Sequence, residues 1–132
     1  MDRRQLTRPQ RVLVVDDCAD IRELWKMWLT IWGFAVEEAR NGSEAVRMAV
    51  ANPPDLVLMD LWMPVMEGVT ATAQLKADPR TLDVPVLALS AQTLAPDPAE
   101  AAAAGARAFI AKPCDPDMLL SCIRDALGAL GP

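Results

Sequence analysis

The chain has 132 residues, 52% of them apolar, and a formal net charge of −5; this fits one domain with a single core and is too apolar for disorder. Thirteen Lys and Arg scattered among eighteen Asp and Glu give no basic face, which argues against a nucleic-acid partner. Histidine is absent, which excludes His-ligated zinc and Ser/His/Asp or Cys/His catalysis by this chain alone.

Residues Met1 to Gln10 are polar and aperiodic and read as a tail, with the folded domain running over 11–130. Their charged start, Met1-Asp2-Arg3-Arg4, has no apolar segment behind it, and no apolar run approaches the roughly 18 residues of a membrane span. The expectation is a soluble, cytoplasmic protein with no membrane partner, its cysteines Cys18, Cys114 and Cys122 being reduced thiols. Arg11 to Val15 is the first β-branched run and ends on Asp16-Asp17. Asp20 is the expected N-cap of a helix over Ile21 to Trp32, with Ile21, Leu24, Trp25, Trp28, Leu29 and Trp32 inward and Gly33 as the stop. Phe34 to Ala39 reads as an edge strand, and Asn41-Gly42-Ser43 caps a helix over Glu44 to Val50.

Leu56 to Asp60, after Pro53-Pro54 and before Pro64, is a short strand buried on both faces and closed by a carboxylate. A helix over Val69 to Ala77 follows, then a strand Val84 to Leu89 ending on Ser90. Asp97-Pro98 starts an alanine-rich helix to Ala104, closed by Gly105. Ala108 to Ala111 is the last strand and ends on Lys112-Pro113. Asp115-Pro116 opens the last helix, with Met118, Leu119, Cys122, Ile123 and Leu127 on its apolar side. Five strands alternating with five helices predict a doubly wound α/β fold, a parallel sheet with helices on both faces.

Four strands end on Asp16-Asp17, Asp60, Ser90 and Lys112, and a parallel sheet brings those ends to one edge, where such folds bind ligands. Three carboxylates together repel, and one lysine does not offset them. A hard all-oxygen site of this kind suits Mg²⁺. Asp60 is then available as a nucleophile toward phosphorus, with the metal, Lys112 and Ser90 each taking one phosphoryl oxygen.

Asp16-Asp17, Asp60 with Met63-Pro64 and Gly68, Ser90-Ala91 and Lys112-Pro113 resemble the motifs of two-component response regulator receiver domains, over roughly Arg11 to Leu127. The resemblance implies a flavodoxin-like three-layer sandwich with strand order 2-1-3-4-5. It implies that Asp60 is the phosphorylation site, accepting a phosphoryl group from a sensor histidine kinase or histidine phosphotransfer protein. Asp17, Asp60 and the backbone carbonyl of Trp62 would be direct Mg²⁺ ligands, with Asp16 acting largely through water. Lys112 would contact the phosphoryl group, and a cis bond to Pro113 is expected. Ser90 and Phe109 would form a switch, shifting a face made of the fourth helix, fifth strand and fifth helix toward an unknown downstream protein target. Such a domain modifies only itself, so it is not an enzyme in the turnover sense, and a monomer or weak homodimer is expected.

Trp62 and Gln92 hold positions that tune phosphate hydrolysis in that family, and a bulky Trp62 is expected to obstruct the attacking water. Met27, Ile31 and Trp32 stand where a soluble helix would carry charge, and they are the candidate docking residues for the kinase or phosphotransfer partner. A wider buried helix face explains them as well. A haloacid-dehalogenase-type phosphatase uses the same inventory, but its nucleophile ends the first strand under a cap domain. A flavodoxin would need a phosphate-cradling loop after the first strand, where Asp16-Asp17 repels phosphate. The polar tail at Met1 favours a single-domain regulator over a fragment of a larger one.

Overall fold

The computed structural model describes residues 9–61, 68–91, 98–112 and 114–128. Each apolar run that is short, β-branched and bounded by turn residues forms a strand: β1 Arg11–Val15, β2 Ala35–Ala39, β3 Leu56–Asp60, β4 Val86–Ala91 and β5 Ala108–Lys112. The helices between them are α1 Ala19–Ile31, α2 Gly42–Ala51, α3 Gly68–Ala77, α4 Pro98–Ala104 and α5 Pro116–Gly128. The strands pair in parallel in the order β2-β1-β3-β4-β5, the doubly wound order expected. Val15 lies beside both Ala39 and Met59, Asp60 beside Leu89, and Ala91 beside Lys112, so the carboxyl ends of all five strands share one edge.

Alternation along the strands splits the core in two. Leu13, Val15, Val57, Met59, Val86 and Ala88 face one side, where Ala45 and Ala49 of α2, Ala71 and Leu75 of α3 and Ala101 of α4 cover them. Val12, Val14, Leu56, Leu58, Leu87 and Ile110 face the other, under Trp25 and Leu29 of α1 and Leu119 and Ile123 of α5. Every residue of β3 is buried, Asp60 included. Each fully buried leucine on that strand contributes about 1.5–3 kcal/mol, so the chain tolerates one polar end there only where it is compensated.

Three local expectations are corrected. Asp20 does not cap α1: the helix starts at Ala19 with Cys18 at the N-cap, because the Asp16 side chain turns back onto the Cys18 amide and starts the helix early. Asp20 lies in the first turn, where its charge still suits the helix N-terminus. Leu24 and Met118, assigned to inward faces, are exposed, 43% and 52%. Both sit at the margin of their helix's apolar stripe, which is wider than the surface the sheet offers. Side-chain caps are made by Asp115, whose Oδ1 accepts from the Asp117 amide at 3.0 Å at the start of α5, and by Asn41, which accepts from the Glu44 amide at 2.8 Å while Glu44 accepts from the Arg40 amide at 3.0 Å. No helix among the described residues is long and apolar enough to cross a membrane.

Two glycines end helices with positive φ, Gly33 at 95° and Gly105 at 108°. A Cβ at Gly33 would meet nothing within 4 Å, whereas one at Gly105 would lie 2.6 Å from Lys76 Cγ. That lysine is held in place: its Nζ donates to the Leu82 carbonyl at 3.0 Å and to the Val84 carbonyl, and burial pushes its pKa down against the opposing pull of Asp83. Gly33→Ala is therefore expected to cost only the left-handed backbone penalty, about 1 kcal/mol. Gly105→Ala adds a steric clash and is expected to cost about 2–3 kcal/mol. Urea denaturation of the two variants in parallel measures the difference, and equal losses would contradict this packing.

Candidate functional site

The site is assembled by strand ends. Asp16 and Asp17 follow β1, Asp60 closes β3, Ser90 is the penultimate residue of β4, and Lys112 closes β5. Asp16, Asp60 and Ser90 are buried and Asp17 is exposed. One carboxylate oxygen from each of the three aspartates lies within 4.8 Å of the others. Lys112 Nζ spans two of them, 3.3 Å from Asp16 Oδ2 and 3.4 Å from Asp60 Oδ1. Burial disfavours the Lys112 ammonium, but Asp60 and Asp16 outweigh it and hold its pKa above the usual lysine value. The lysine is thus a firm cation among three acids, and it offsets one of their three charges.

Asp16 is fixed on every side. Its amide donates to the Ala39 carbonyl at 3.2 Å, and its Oδ1 accepts from the Cys18 amide at 2.9 Å. Oδ1 and Oδ2 of Asp16 are thus both engaged, by the Cys18 amide and by Lys112. Asp17 and Asp60 supply the remaining carboxylates. The donor set is oxygen-only and anionic, so the residues present fit a hard divalent cation such as Mg²⁺.

Two residues that shape the site do so for reasons the sequence pattern did not carry. Gly68 opens α3 against the end of β3: a Cβ there would come 2.7 Å from Leu61 Cα and closer still to the Asp60 carbonyl oxygen. Its amide donates to the Leu61 carbonyl at 3.2 Å, and its carbonyl accepts from the Thr72 hydroxyl at 2.7 Å. Arg22, on the first turns of α1, donates to the Asp16 carbonyl at 2.7 Å and to Glu38 at 3.2 Å. An arginine among the inward positions of α1, with Glu38 on the neighbouring strand, was the available signal.

The other expected residues fall as follows. Phe109 is partly buried and packs against the core on the α3 and α4 side. Met27 and Ile31 are exposed, 51% and 66%, and Leu24 joins them on the outer face of α1. Trp32 does not: it is half-buried against the opposite core face and stacks near Trp28, ring centroids 5.7 Å apart. Trp62, Gln92 and Pro113, and with them the expected metal-facing carbonyl and cis bond, lie outside the described residues. Cys18, Cys114 and Cys122 are free thiols.

The family model described as the response regulator receiver domain matches residues 12–124. Among curated relatives, the DNA-binding regulator RpaA of Synechocystis is 34% identical over 117 residues, 89% of this chain and 48% of its own. The transcriptional regulator PrrA of Mycobacterium tuberculosis is 41% identical over 103 residues, 78% of this chain and 43% of its own. The chain thus spans about half the length of the curated relatives it matches. Among solved structures, the chemotaxis protein CheY4 of Vibrio cholerae superposes with a TM-score of 0.84 at 31% identity, covering 91% of this chain and 100% of that one. The receiver domain of the sensor histidine kinase PA1611 of Pseudomonas aeruginosa, with a magnesium ion in its active-site cleft, gives 0.85 at 30% identity, covering 92% and 99%. Nothing supports a dehalogenase-type phosphatase: the acid pair follows the first strand and Asp60 ends the third. The chain is a member of the response regulator receiver domain family.

Proposed function

We propose that this receiver domain takes a phosphoryl group onto Asp60 from a histidine of a sensor kinase or phosphotransfer protein, in a Mg²⁺-dependent reaction. The observation that carries the reading is the meeting of Asp16, Asp17 and Asp60 within 4.8 Å, with Lys112 Nζ between two of them. Asp17 and Asp60 would hold the metal directly and Asp16 through water, and a cation bound there would supply charge to offset carboxylate repulsion and one phosphoryl oxygen. A carboxylate oxygen of Asp60 attacks phosphorus in line with the departing histidine nitrogen, which keeps the bond's electron pair. Lys112, already beside Asp60, moves its hydrogen bond onto a phosphoryl oxygen. The hydroxyl of Ser90, buried on the neighbouring strand, donates to another. Ser90 and Phe109 then shift together, and the face of α4, β5 and α5 changes its population of two states. The domain modifies itself and turns over no substrate.

Incubation with Mg²⁺ and acetyl phosphate is expected to add one phosphate by intact mass spectrometry, and Asp60→Asn is expected to abolish it; an adduct independent of Asp60 would overturn the reading. Gly68→Ala forces the backbone of Asp60 and Leu61 to move and is expected to slow phosphorylation by about tenfold or more at saturating Mg²⁺, measured with the same donor. On the expectation that the bulk of Trp62, two residues beyond Asp60 in sequence, would obstruct the hydrolytic water, the phosphorylated wild type is expected to outlive phosphorylated Trp62→Asn. A timed decay series decides it, and equal lifetimes would remove this role for Trp62.

A further inference from the structure

Resting on the metal-dependent reading above, we propose that Arg22 is a positioning residue for the metal site, acting through the peptide bond that joins Asp16 to Asp17. A peptide unit is planar, so fixing its carbonyl oxygen fixes the orientation of the next residue's nitrogen and Cα. The Asp16 carbonyl is one edge of the plane that carries Asp17, and Arg22 Nη1 holds it at 2.7 Å. Asp17 itself is exposed and projects from that plane. Its aim toward the other two carboxylates therefore depends on the plane that Arg22 anchors.

The anchor is itself built in. Arg22 is largely buried, 12% exposed at its side chain, and its Nε donates to Glu38 Oε1 at 3.2 Å. Glu38 precedes Ala39 on β2, whose carbonyl receives the Asp16 amide at 3.2 Å. One guanidinium thus ties α1 and β2 to the turn after β1, while Lys26 Nζ approaches the other Glu38 oxygen at 3.7 Å. The fork geometry matters, because two acceptors at fixed positions are met by two different nitrogens of one rigid plane. The cation is neutralised by Glu38, so its contribution is not a bare positive charge, which would oppose metal binding.

The test separates geometry from charge. Arg22→Lys keeps the charge and loses the fork; Arg22→Met removes both. Mn²⁺ titration of each folded variant, with free ion counted by electron paramagnetic resonance, is expected to show Kd raised about tenfold in both, the scale of losses when a metal ligand's support is removed. A Lys variant binding like wild type with a Met variant binding more tightly would show a through-space charge and overturn the proposal. Wild-type affinity in both would overturn it too. Should one variant fail to fold by circular dichroism, the other decides alone, a raised Kd supporting the anchor and an unchanged or lowered one overturning it; should both fail, Arg22→Gln, neutral like Met, is read in the same way. A wild-type protein that takes up no Mn²⁺ would instead overturn the metal reading on which this inference stands.

Discussion

Three carboxylates held within 4.8 Å of one another are the constraint around which this molecule is arranged. Their repulsion favours separation, and two of them are buried, where water screens least. The fold keeps them together by backbone position. Parallel pairing of β1 and β3 puts Val15 level with Met59, so the next residue on each strand emerges at the same edge. Lys112 then bridges Asp16 and Asp60 from the end of β5, and the same two acids keep its ammonium charged despite burial.

The structure around that edge spends its specific contacts on the backbone more than on the acids themselves. Asp16 is pinned through its amide, its carbonyl and both carboxylate oxygens. Gly68 lets α3 start against the Asp60 and Leu61 backbone, a closeness that any side chain would prevent. A switch that works by adding a phosphoryl group needs its acceptor in place beforehand, since the reaction leaves little for the protein to do beyond positioning and charge stabilisation. Phe109 is partly buried and packs on the side covered by α3 and α4.

Much of the fold was legible because the signals are local. The run Leu56 to Asp60, bounded by prolines, is β3 to the residue, and the alanine-rich segment between Pro98 and Gly105 is α4 to the residue. Failures occurred where a neighbour decides. Helical spacing placed Leu24 and Met118 inward, but whether the margin of a stripe is covered depends on how far the sheet extends beneath it. Asp20 had the right chemistry for a cap and lost to the backbone turn that Asp16 makes at Cys18. Trp32, the C-cap residue next to Ile31, turns to the core and to Trp28, while Met27, Ile31 and Leu24 stay outside.

By itself the sequence determined the parallel α/β architecture, because period and strand length are properties of short segments. It also determined that polar residues cluster at strand ends, which is where Asp16, Asp17, Asp60, Ser90 and Lys112 stand. Tertiary structure decided what lies between those residues. The bridge from Lys112 to two aspartates, the Gly68 approach and the Arg22 link to Asp16 and Glu38 all join segments far apart in the chain. Such contacts follow from register and crossover, and a distance between strand ends is set by the whole sheet, not by any one stretch of it.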